Sequence, residues 1–226
     1  MEPALVIKGL LIDMDGLLLD TERVAEKCWE LAEEESGFRM PEGFYHTLIG
    51  QSMAACRQRL EEVMDPDCDN DQFMAIASRV YYETLLQGEV PVKRGAEEFL
   101  RYLQEEGVPR CLATSTGRDL CRRKLEATGL LELLPERVCG DEVLHSKPAP
   151  DIYLEAAGRI GLPPEDLLVL EDSENGLRAG LAAGCRVLHI PDLGPVRLEI
   201  QRRASRIFRD LVQLREAFQR GEIRIA

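Results

Sequence analysis

The chain has 226 residues, 45% of them hydrophobic and 31% charged, and it carries a formal net charge of −13. This composition is typical of a folded protein with one α/β domain and an insertion, or with two modest domains, and it excludes a disordered chain. The acidic balance argues against nucleic acid as a partner, because a phosphate backbone is bound by clustered cations. We interpret the arginine-rich stretch 197–209 as a solvated face.

Cysteine usage and the N-terminal sequence predict a cytoplasmic protein. The seven cysteines are scattered and form no CxxC pair. They predict buried thiols in a reducing compartment, not a disulfide framework or a zinc site. The N-terminus lacks the basic segment and uninterrupted apolar core of a signal peptide, and no apolar run reaches membrane-spanning length. We therefore expect no membrane partner.

The first predicted element is a strand, and a long helical region follows it. The apolar stretch from Ala4 to Ile12, broken once by Lys8, predicts a buried strand of the main sheet. A helix is predicted to begin near Thr21 and to end at Gly37. Two more helices are predicted over 54–64 and 71–86, without a strand pattern between 44 and 87. These helices predict an insertion that folds as its own small bundle.

From residue 93 onward, predicted helices and strands alternate. The strands are expected over 108–113, 137–139, 167–170 and 185–190, and the helices over 96–103, 120–127, 152–160, 176–183 and 211–218. Alternation of this kind implies right-handed βαβ units and a parallel sheet. The predicted fold class is α/β, with a Rossmann-like, mainly parallel sheet core formed by 1–19 and 90–226. The helical insertion would span 20–89.

Four segments at predicted strand ends and helix starts carry side chains suited to chemistry. They are, in chain order, Asp13-Met14-Asp15-Gly16, Thr114-Ser115-Thr116-Gly117, Ser146-Lys147-Pro148 and Leu170-Glu171-Asp172. In open α/β sheets, ligands bind at the carboxyl ends of the strands. Each segment alone is also explained by a turn or a helix cap, so their combination and order carry the argument.

Taken together, these segments resemble the signature of the haloacid-dehalogenase-like phosphatase superfamily. The matching runs are DMDGLLLDTE, ATST, SKPAPD and LEDSENG. The nearest branch is the one that contains β-phosphoglucomutase and related sugar-phosphate phosphatases. The resemblance covers nearly the whole chain, and it identifies the helical insertion with the α-helical cap of that branch.

The resemblance implies a role for each catalytic position. Asp13 would be the nucleophile that forms an aspartyl-phosphate, and Asp15 the general acid and then the base that activates water. Thr114 and the backbone N–H of Ser115 would hold the transferring phosphoryl group. Lys147 would neutralise the charge of Asp13 and the phosphate.

The resemblance also implies a Mg²⁺ cofactor. Its ligands would be Asp13, the backbone carbonyl of Asp15, and the carboxylates of Asp172 and Glu171. Mg²⁺ favours carboxylate and carbonyl oxygens, which these segments supply without histidine or cysteine. We further expect charged neighbours to raise the pKa of Asp15, so that it retains a proton.

The substrate-reading residues are expected in the cap. The loop Gly50-Gln51-Ser52 resembles the specificity loop of the family, and closure of the cap would exclude bulk water. Arg118, at the start of the helix after Gly117, is a candidate contact for the rest of the substrate. The alternative reading of Arg118 is an ordinary surface arginine.

These observations predict a Mg²⁺-dependent phosphatase that hydrolyses a small phosphomonoester, a sugar or polyol phosphate, as a monomer. One alternative is a phosphomutase with the same first half-reaction. Another is a phosphate-responsive binding protein that has lost turnover. The second alternative is disfavoured because the nucleophile, the acid/base and the lysine are all present in the sequence.

Overall fold

A computed structural model describes residues 3–49, 51, 53–64, 69–87 and 90–226, with the backbone alone at 53, 54 and 86. The described strands are β1 (Leu5–Ile7), β2 (Gly9–Ile12), β3 (Arg110–Ala113), β4 (Arg137–Val138), β5 (Leu167–Glu171), β6 (Arg186–His189), β7 (Arg206–Ile207) and β8 (Ile223–Ile225). The described helices are α1 (Thr21–Ser36), α2 (Met53–Glu61), α3 (Asn70–Leu86), α4 (Ala96–Glu105), α5 (Arg118–Ala127), α6 (Asp151–Ile160), α7 (Glu174–Ala182), α8 (Leu198–Gln201) and α9 (Leu211–Gln219).

Six strands form one parallel sheet in the order β4-β3-β2-β5-β6-β7. Strand β2 lies at the centre, with Leu11 in register with Cys111 of β3 and Val169 of β5. The strand order reverses beside β2, so the chain leaves the sheet in opposite directions on its two sides. A crevice forms at such a switch point, at the carboxyl ends of the strands.

Helices cover both faces of this sheet, and the result is a three-layer α/β/α core. Side chains alternate along each strand: Leu10 and Ile12 pack with α4, α5 and α9, whereas Leu11 packs with α6, α7 and α8. The predicted α/β fold class with a mainly parallel sheet is confirmed. No helix within the described ranges is long and apolar enough to cross a membrane.

The first predicted strand is wrong in one respect, because it divides at Lys8. Only β2 joins the six-stranded sheet, while β1 pairs in parallel with β8 near the C-terminus. The Lys8 side chain is half exposed and its Nζ lies 2.8 Å from Asp166 Oδ2. A central strand covered on both faces offers no such path to solvent, so the chain bends at this lysine.

Three short elements were not predicted. They are α8, β7 and β8, each of four residues or fewer, too short for a hydrophobic period to emerge. Two of them lie in the arginine-rich stretch 197–209. Its arginines at 197, 202, 203 and 209 are exposed, as a solvated face requires, but Ile200 and Phe208 are buried and anchor it to the core.

The helical insertion has a hydrophobic cluster of its own. Trp29 of α1 and Phe38 both pack edge-on against Phe73 of α3, at ring separations of 5.4 and 5.8 Å. The two linkers that join this region to the sheet run side by side: Asp20 N donates to Pro91 O, and Lys93 N donates to Leu18 O. The division at 19/20 and 89/90 into core and cap remains a prediction.

Candidate active site

The segments singled out in the sequence meet at the carboxyl ends of β2, β3 and β5. Among the described residues, the buried charged side chains are Asp13, Lys124, Lys147, Glu171 and Asp172, and all of them lie at this place. They form two groups, one around Asp13 and one around Asp15. Four of the five stand in the predicted motifs; Lys124 does not.

The first group is centred on Lys147, from the loop before α6. Lys147 Nζ donates to Asp13 Oδ1 at 2.5 Å, to Glu171 Oε1 at 2.6 Å and to the carbonyl of Ala113 at 3.1 Å. The two carboxylates hold the pKa of Lys147 above its usual value despite burial. Burial, with repulsion from Glu171 and Asp15, raises the pKa of Asp13 to about 8, although Lys147 opposes the shift. Lys147, with its pKa raised in favour of the charged form, therefore contacts Asp13 directly.

Glu171 is held from several sides. Tyr153 of α6 donates its hydroxyl to Glu171 Oε1 at 2.6 Å, and the hydroxyl of Ser173 donates to Oε2 at 2.9 Å. Burial raises the pKa of Glu171, but Lys147 and these donors outweigh it and leave the pKa low. Gly176 passes so close that a Cβ there would lie 1.8 Å from this carboxylate. The carboxylate of Glu171 is thus fixed and ionised.

The pKa of Asp172 is shifted in the opposite direction to that of Glu171. Burial, together with repulsion from Glu171 and Asp13, raises its pKa well above the usual value. One ligand oxygen from each of Asp13, Glu171 and Asp172 can be chosen so that all three lie within 4.8 Å of one another. A divalent cation would relieve this repulsion, and an all-oxygen donor set suits Mg²⁺. The residues therefore fit a hard divalent metal.

Asp15 forms the second group, and its carboxylate accepts four hydrogen bonds. Oδ1 accepts from Thr21 at 2.8 Å and from Lys124 Nζ at 2.6 Å. Oδ2 accepts from Thr116 at 2.7 Å and from Thr114 at 3.3 Å. Burial opposes ionisation, but the Lys124 charge and these donors lower the pKa of Asp15. The expectation of a raised pKa was wrong, because the neighbours of this carboxylate are donors and a cation.

A cavity of about 550 Å³ lies over both groups. Its floor includes Asp13, Asp15 and Lys147, and its opposite wall comes from the helical insertion. The wall residues include Glu22, Ala25, Cys28, Trp29, Tyr45, Leu48, Gln51, Tyr81 and Tyr82. Burial, with repulsion from Asp15, raises the pKa of Glu22 to about 7. The wall is thus mostly apolar and aromatic, with one carboxyl group.

Of the predicted specificity loop, only Gln51 can be placed. It lines the cavity, and its Nε2 donates to the carbonyl of Thr47 at 2.7 Å. Gly50 and Ser52 lie outside the described residues. Ser115 is exposed at the cavity, and its backbone nearly touches Gly140, where a Cβ would meet the Ser115 carbonyl oxygen at 2.1 Å.

Arg118 is placed away from this wall. Its guanidinium pairs with Glu142, more than half of its side chain is exposed, and its backbone N–H donates to Asp141 at 3.0 Å. It is not among the described residues that line the cavity. These contacts match the alternative reading, a surface arginine.

Sequence reasoning missed Lys124, Thr116 and Tyr153. Thr116 belongs to the quoted ATST run, so its neighbourhood was found although its role was not. Lys124 shares the buried face of α5 with Cys121 and Leu125, and Tyr153 shares the buried face of α6 with Ala156. A lysine at core spacing on a helix was a usable signal, because an unpaired buried lysine is costly.

Comparisons with known proteins show the family of this chain. A family model of haloacid dehalogenase-like hydrolases matches residues 7–184. The chain is 39% identical over 186 residues to a probable pseudouridine-5'-phosphatase of Drosophila melanogaster, covering 80% of each chain. It is 29% identical over 185 residues to hexitol phosphatase A of Escherichia coli (strain K12), covering 81% of this chain and 82% of that one. A β-phosphoglucomutase structure from Clostridium difficile shares the fold, with a TM-score of 0.76 at 18% identity over 96% of this chain and 97% of that one.

The chain therefore belongs to the haloacid dehalogenase-like hydrolases. It is a phosphoric monoester hydrolase of that family. The resemblance inferred from the four motifs, including its branch of sugar-phosphate enzymes, is confirmed.

Proposed function

We propose that this enzyme hydrolyses a small sugar or polyol phosphate through an aspartyl-phosphate on Asp13, with Mg²⁺ as cofactor. The observation that carries the proposal is the contact between Asp13 and Lys147 at the floor of a cavity large enough for such a substrate. A phosphate dianion is repelled by a bare carboxylate, and an adjacent fixed cation removes that obstacle.

In the first half-reaction, a carboxylate oxygen of Asp13 attacks phosphorus and the bond to the leaving oxygen breaks. The leaving oxygen takes a proton from Asp15, which must first be protonated because its resting pKa is low. Lys147 stays charged throughout and balances the negative charge that gathers on the phosphoryl oxygens. The hydroxyl of Thr114 and the N–H of Ser115 complete the proposed phosphoryl site.

In the second half-reaction, Asp15 accepts a proton from water while the water oxygen attacks phosphorus. The bond from Asp13 to phosphorus breaks, and phosphate leaves. The low resting pKa of Asp15 suits this step, because a base must begin ionised. The same carboxyl group thus returns its proton to the next leaving group.

We propose that Mg²⁺ is held by Asp13, Asp172 and the backbone carbonyl of Asp15, with Glu171 beside them. When bound, the cation would neutralise charge on the phosphoryl oxygens. Glu171 already accepts hydrogen bonds on both oxygens, from Lys147 and Tyr153 on one and from Ser173 on the other. It can therefore orient Lys147 as well as contribute charge to the metal site. Asp172 is the acid whose repulsion most needs a cation.

The helical insertion is proposed as the cap that selects the substrate. Its wall faces the phosphoryl site. The polar groups of Glu22, Tyr45 and Gln51 can form hydrogen bonds with hydroxyl groups of the leaving group. Arg118 is left out of this set, because it is not among the described residues that line the cavity and its guanidinium pairs with Glu142. The proposed partner is a small phosphorylated metabolite.

The test combines turnover with trapping of the intermediate. Phosphate release is measured on a panel containing pseudouridine 5'-phosphate, hexitol phosphates and glycerol 3-phosphate, with and without Mg²⁺. Enzyme mixed with ³²P-labelled substrate is then quenched in acid, and the label is located. We expect a hydroxylamine-labile label on Asp13 in the native enzyme and none in Asp13→Asn. Turnover without any such label, or full activity after exhaustive chelation, would contradict the proposal.

A further inference from the structure

Two lysines are buried among the described residues, and the motifs account for only one. Lys147 holds Asp13, as the sequence predicts. Lys124, on α5, lies ten positions beyond Thr114 and is 4% exposed. Its ammonium group lies 2.6 Å from Asp15 Oδ1. Each of the two aspartates of the first motif is therefore paired with its own buried lysine.

Lys124 is the only charged donor among the four described partners of the Asp15 carboxylate. Thr21 shares Oδ1 with it, and Thr114 and Thr116 bind Oδ2. The three hydroxyls can rotate toward other acceptors at small cost, because a hydroxyl also accepts hydrogen bonds. A buried ammonium cannot lose its carboxylate partner without a large penalty. Lys124 is thus the contact that most strongly fixes the orientation of Asp15.

The same lysine also contacts the helical insertion. Its Nζ lies 5.3 Å from the centroid of the Tyr81 ring, on α3. A cation this close to an aromatic face is attracted to it. Tyr81 is part of the cavity wall, and α3 packs mainly against α1, with smaller contacts to α2 and α5. One side chain of the sheet core therefore contacts both the acid/base carboxylate and the wall that faces the substrate.

We propose that Lys124 is the positioning residue of Asp15, and that Tyr81 holds Lys124 in place from the helical insertion. This inference rests on the proposed function, in which Asp15 protonates the leaving oxygen. Lys124 would act through Asp15 and would not touch the phosphoryl group. Its loss should therefore weaken the steps that need Asp15 and spare those that do not.

The choice of leaving group distinguishes steps that need a proton from Asp15 from steps that do not. An alkyl phosphate such as glycerol 3-phosphate expels a strongly basic oxygen and needs a proton from Asp15. A p-nitrophenyl phosphate expels a stable phenolate and does not. The quantity to compare is kcat/KM, because it reports formation of the phosphoenzyme and not its later hydrolysis. A merely structural role would lower both values together.

The experiment uses the full chain with Lys124→Met, Lys124→Arg and, as a matched control on the same helix, Arg123→Met. Arg123 is half exposed and pairs with Asp119 across one helical turn. We expect Lys124→Met to lower kcat/KM on glycerol 3-phosphate by about 10²-fold, the usual contribution of a positioned general acid. The value on p-nitrophenyl phosphate should change far less. Lys124→Arg should keep the ratio of the two kcat/KM values close to that of the native enzyme. Arg123→Met should leave this ratio unchanged.

Tyr81→Leu and Tyr81→Phe test the second contact. The quantity measured is the ratio of kcat/KM on glycerol 3-phosphate to kcat/KM on p-nitrophenyl phosphate. Tyr81→Leu removes the ring and should change this ratio in the same direction as Lys124→Met, by a smaller factor. Tyr81→Phe keeps the ring but loses the hydroxyl, which also interacts with Lys124, so it should change this ratio by an intermediate factor. Circular dichroism and thermal melting confirm folding for each variant. If Lys124→Met does not fold, Lys124→Gln supplies the same comparison with a neutral polar side chain.

If kcat/KM in a folded Lys124→Met or Lys124→Gln variant falls by the same factor on both substrates, or does not fall on either, the inference is overturned. A Tyr81→Leu ratio equal to that of the native enzyme would overturn the part assigned to Tyr81. Asp13→Asn and Asp15→Asn are measured in parallel to separate the two proposals. Activity in Asp13→Asn would reject the proposed function. An inactive Asp13→Asn with an unchanged ratio in Lys124→Met would reject only the role of Lys124.

Discussion

Asp13 and Asp15 stand two positions apart in the sequence, yet their electrostatic surroundings differ in sign. The pKa of Asp13 is raised by burial and by the nearby acids, whereas the pKa of Asp15 is lowered by Lys124 and three hydroxyls. Residues two positions apart on a strand point to the same side, but β2 ends at Ile12 and the chain turns at Gly16, so the two carboxylates meet different neighbours. This separation is what two different roles, nucleophile and acid/base, require.

Asp13→Asn is expected to abolish turnover and to preserve or increase stability in metal-free buffer. The pKa of Asp13 rises from 3.8 to about 8 on folding, so the folded state binds the proton more tightly. The stability that this proton contributes is present below the lower pKa and is lost as pH rises toward the higher one. Asparagine has no proton to lose, and Glu171 still holds Lys147.

Thermal melting in EDTA, across the pH range between these two values, measures the effect. The melting temperature of Asp13→Asn should equal or exceed that of the native enzyme near neutral pH, with the difference growing as pH rises. A lower melting temperature at every pH would show that the lost contact with Lys147 outweighs the relief of repulsion.

Gly16→Ala is expected to raise the Mg²⁺ concentration needed for activity. Gly16 has a φ of +83°, and a Cβ there would lie 2.2 Å from Asp172 Oδ2, so the carboxylate must move. Displacing groups that orient metal ligands typically weakens metal affinity roughly 10–100-fold. Activity is titrated with Mg²⁺ for the native enzyme and the variant.

Gly37→Ala is the matched control for this substitution. Gly37 has a φ of +75° but nothing within 4 Å of the added Cβ, so it carries the backbone strain without the clash. It should cost about 1–2 kcal/mol of stability and leave the Mg²⁺ dependence unchanged. Equal Mg²⁺ curves for both glycine variants would refute the positioning of Asp172 by Gly16.

At the scale of elements, the linkers decide where the helical insertion can be removed. Leu17, Leu18 and Leu19 follow the first motif but are buried in the sheet core, with at most 1% exposure. Residues 18–20 also pair with 91–93 through backbone hydrogen bonds. The sheet core therefore includes this leucine run, and a deletion must begin after it.

Joining residue 20 to residue 90 by a short Gly/Ser linker is expected to leave a folded core that cleaves p-nitrophenyl phosphate. Its preference among natural phosphomonoesters should collapse, because the remaining motifs bind only the phosphoryl group. A join from Gly16 to Lys93 removes three buried leucines, each contributing about 1.5–3 kcal/mol, and should be much less stable. Circular dichroism, urea unfolding and the substrate panel test both deletions.

An unchanged substrate ranking in the folded deletion would place specificity in the sheet core and contradict the proposed cap. Equal urea midpoints for the two deletions would show that the leucine run adds nothing to the core. The two results are independent, so the proposed cap and the boundary can be judged separately.

For the whole molecule, the open alternative is transfer of the phosphoryl group to a sugar instead of water. In the mutases that this chain resembles, a cap histidine comes shortly after the segment that matches Asp20-Thr21. An arginine follows the loop that matches Gly50-Gln51-Ser52. This chain has Ala25 and Met53 at the positions we align with them. Ala25 lines the cavity, and the Met53 side chain lies outside the described residues. Neither residue type can donate a charged hydrogen bond.

We therefore expect free phosphate from sugar or polyol monophosphates and no interconversion of β-glucose 1-phosphate and glucose 6-phosphate. The assay includes the bisphosphate activator and follows both sugar phosphates and free phosphate over time. Efficient interconversion with little phosphate release would identify a mutase. A monomeric state and a cytoplasmic location remain predictions.

The sequence by itself determined the longer helices and sheet strands and the motif residues. Local patterns suffice for these: apolar runs marked the four longer sheet strands, and helical spacing marked α1, α4 and α6 close to their observed bounds. The motif carboxylates and hydroxyls lie at strand ends, because parallel strands bring their carboxyl ends to one edge of the sheet, and Lys147 reaches Asp13 from the loop before α6. The bend at Lys8 and the pairing of β1 with β8 were not visible, since they depend on contacts with the far end of the chain.

Only the tertiary structure decided how the site is charged. Lys124 lies 109 positions from Asp15, Tyr81 comes from a different helical region, and Tyr153 reaches Glu171 from α6. Helical spacing marks Lys124 as buried, but the partner in each of these contacts has no local sequence signature, because it depends on which helix faces lie over the strand ends. The direction of the pKa shift of Asp15 follows from them, and so the sequence alone gave the wrong sign. Electrostatics acts through space over a few ångströms, whereas sequence patterns report only neighbours along the chain.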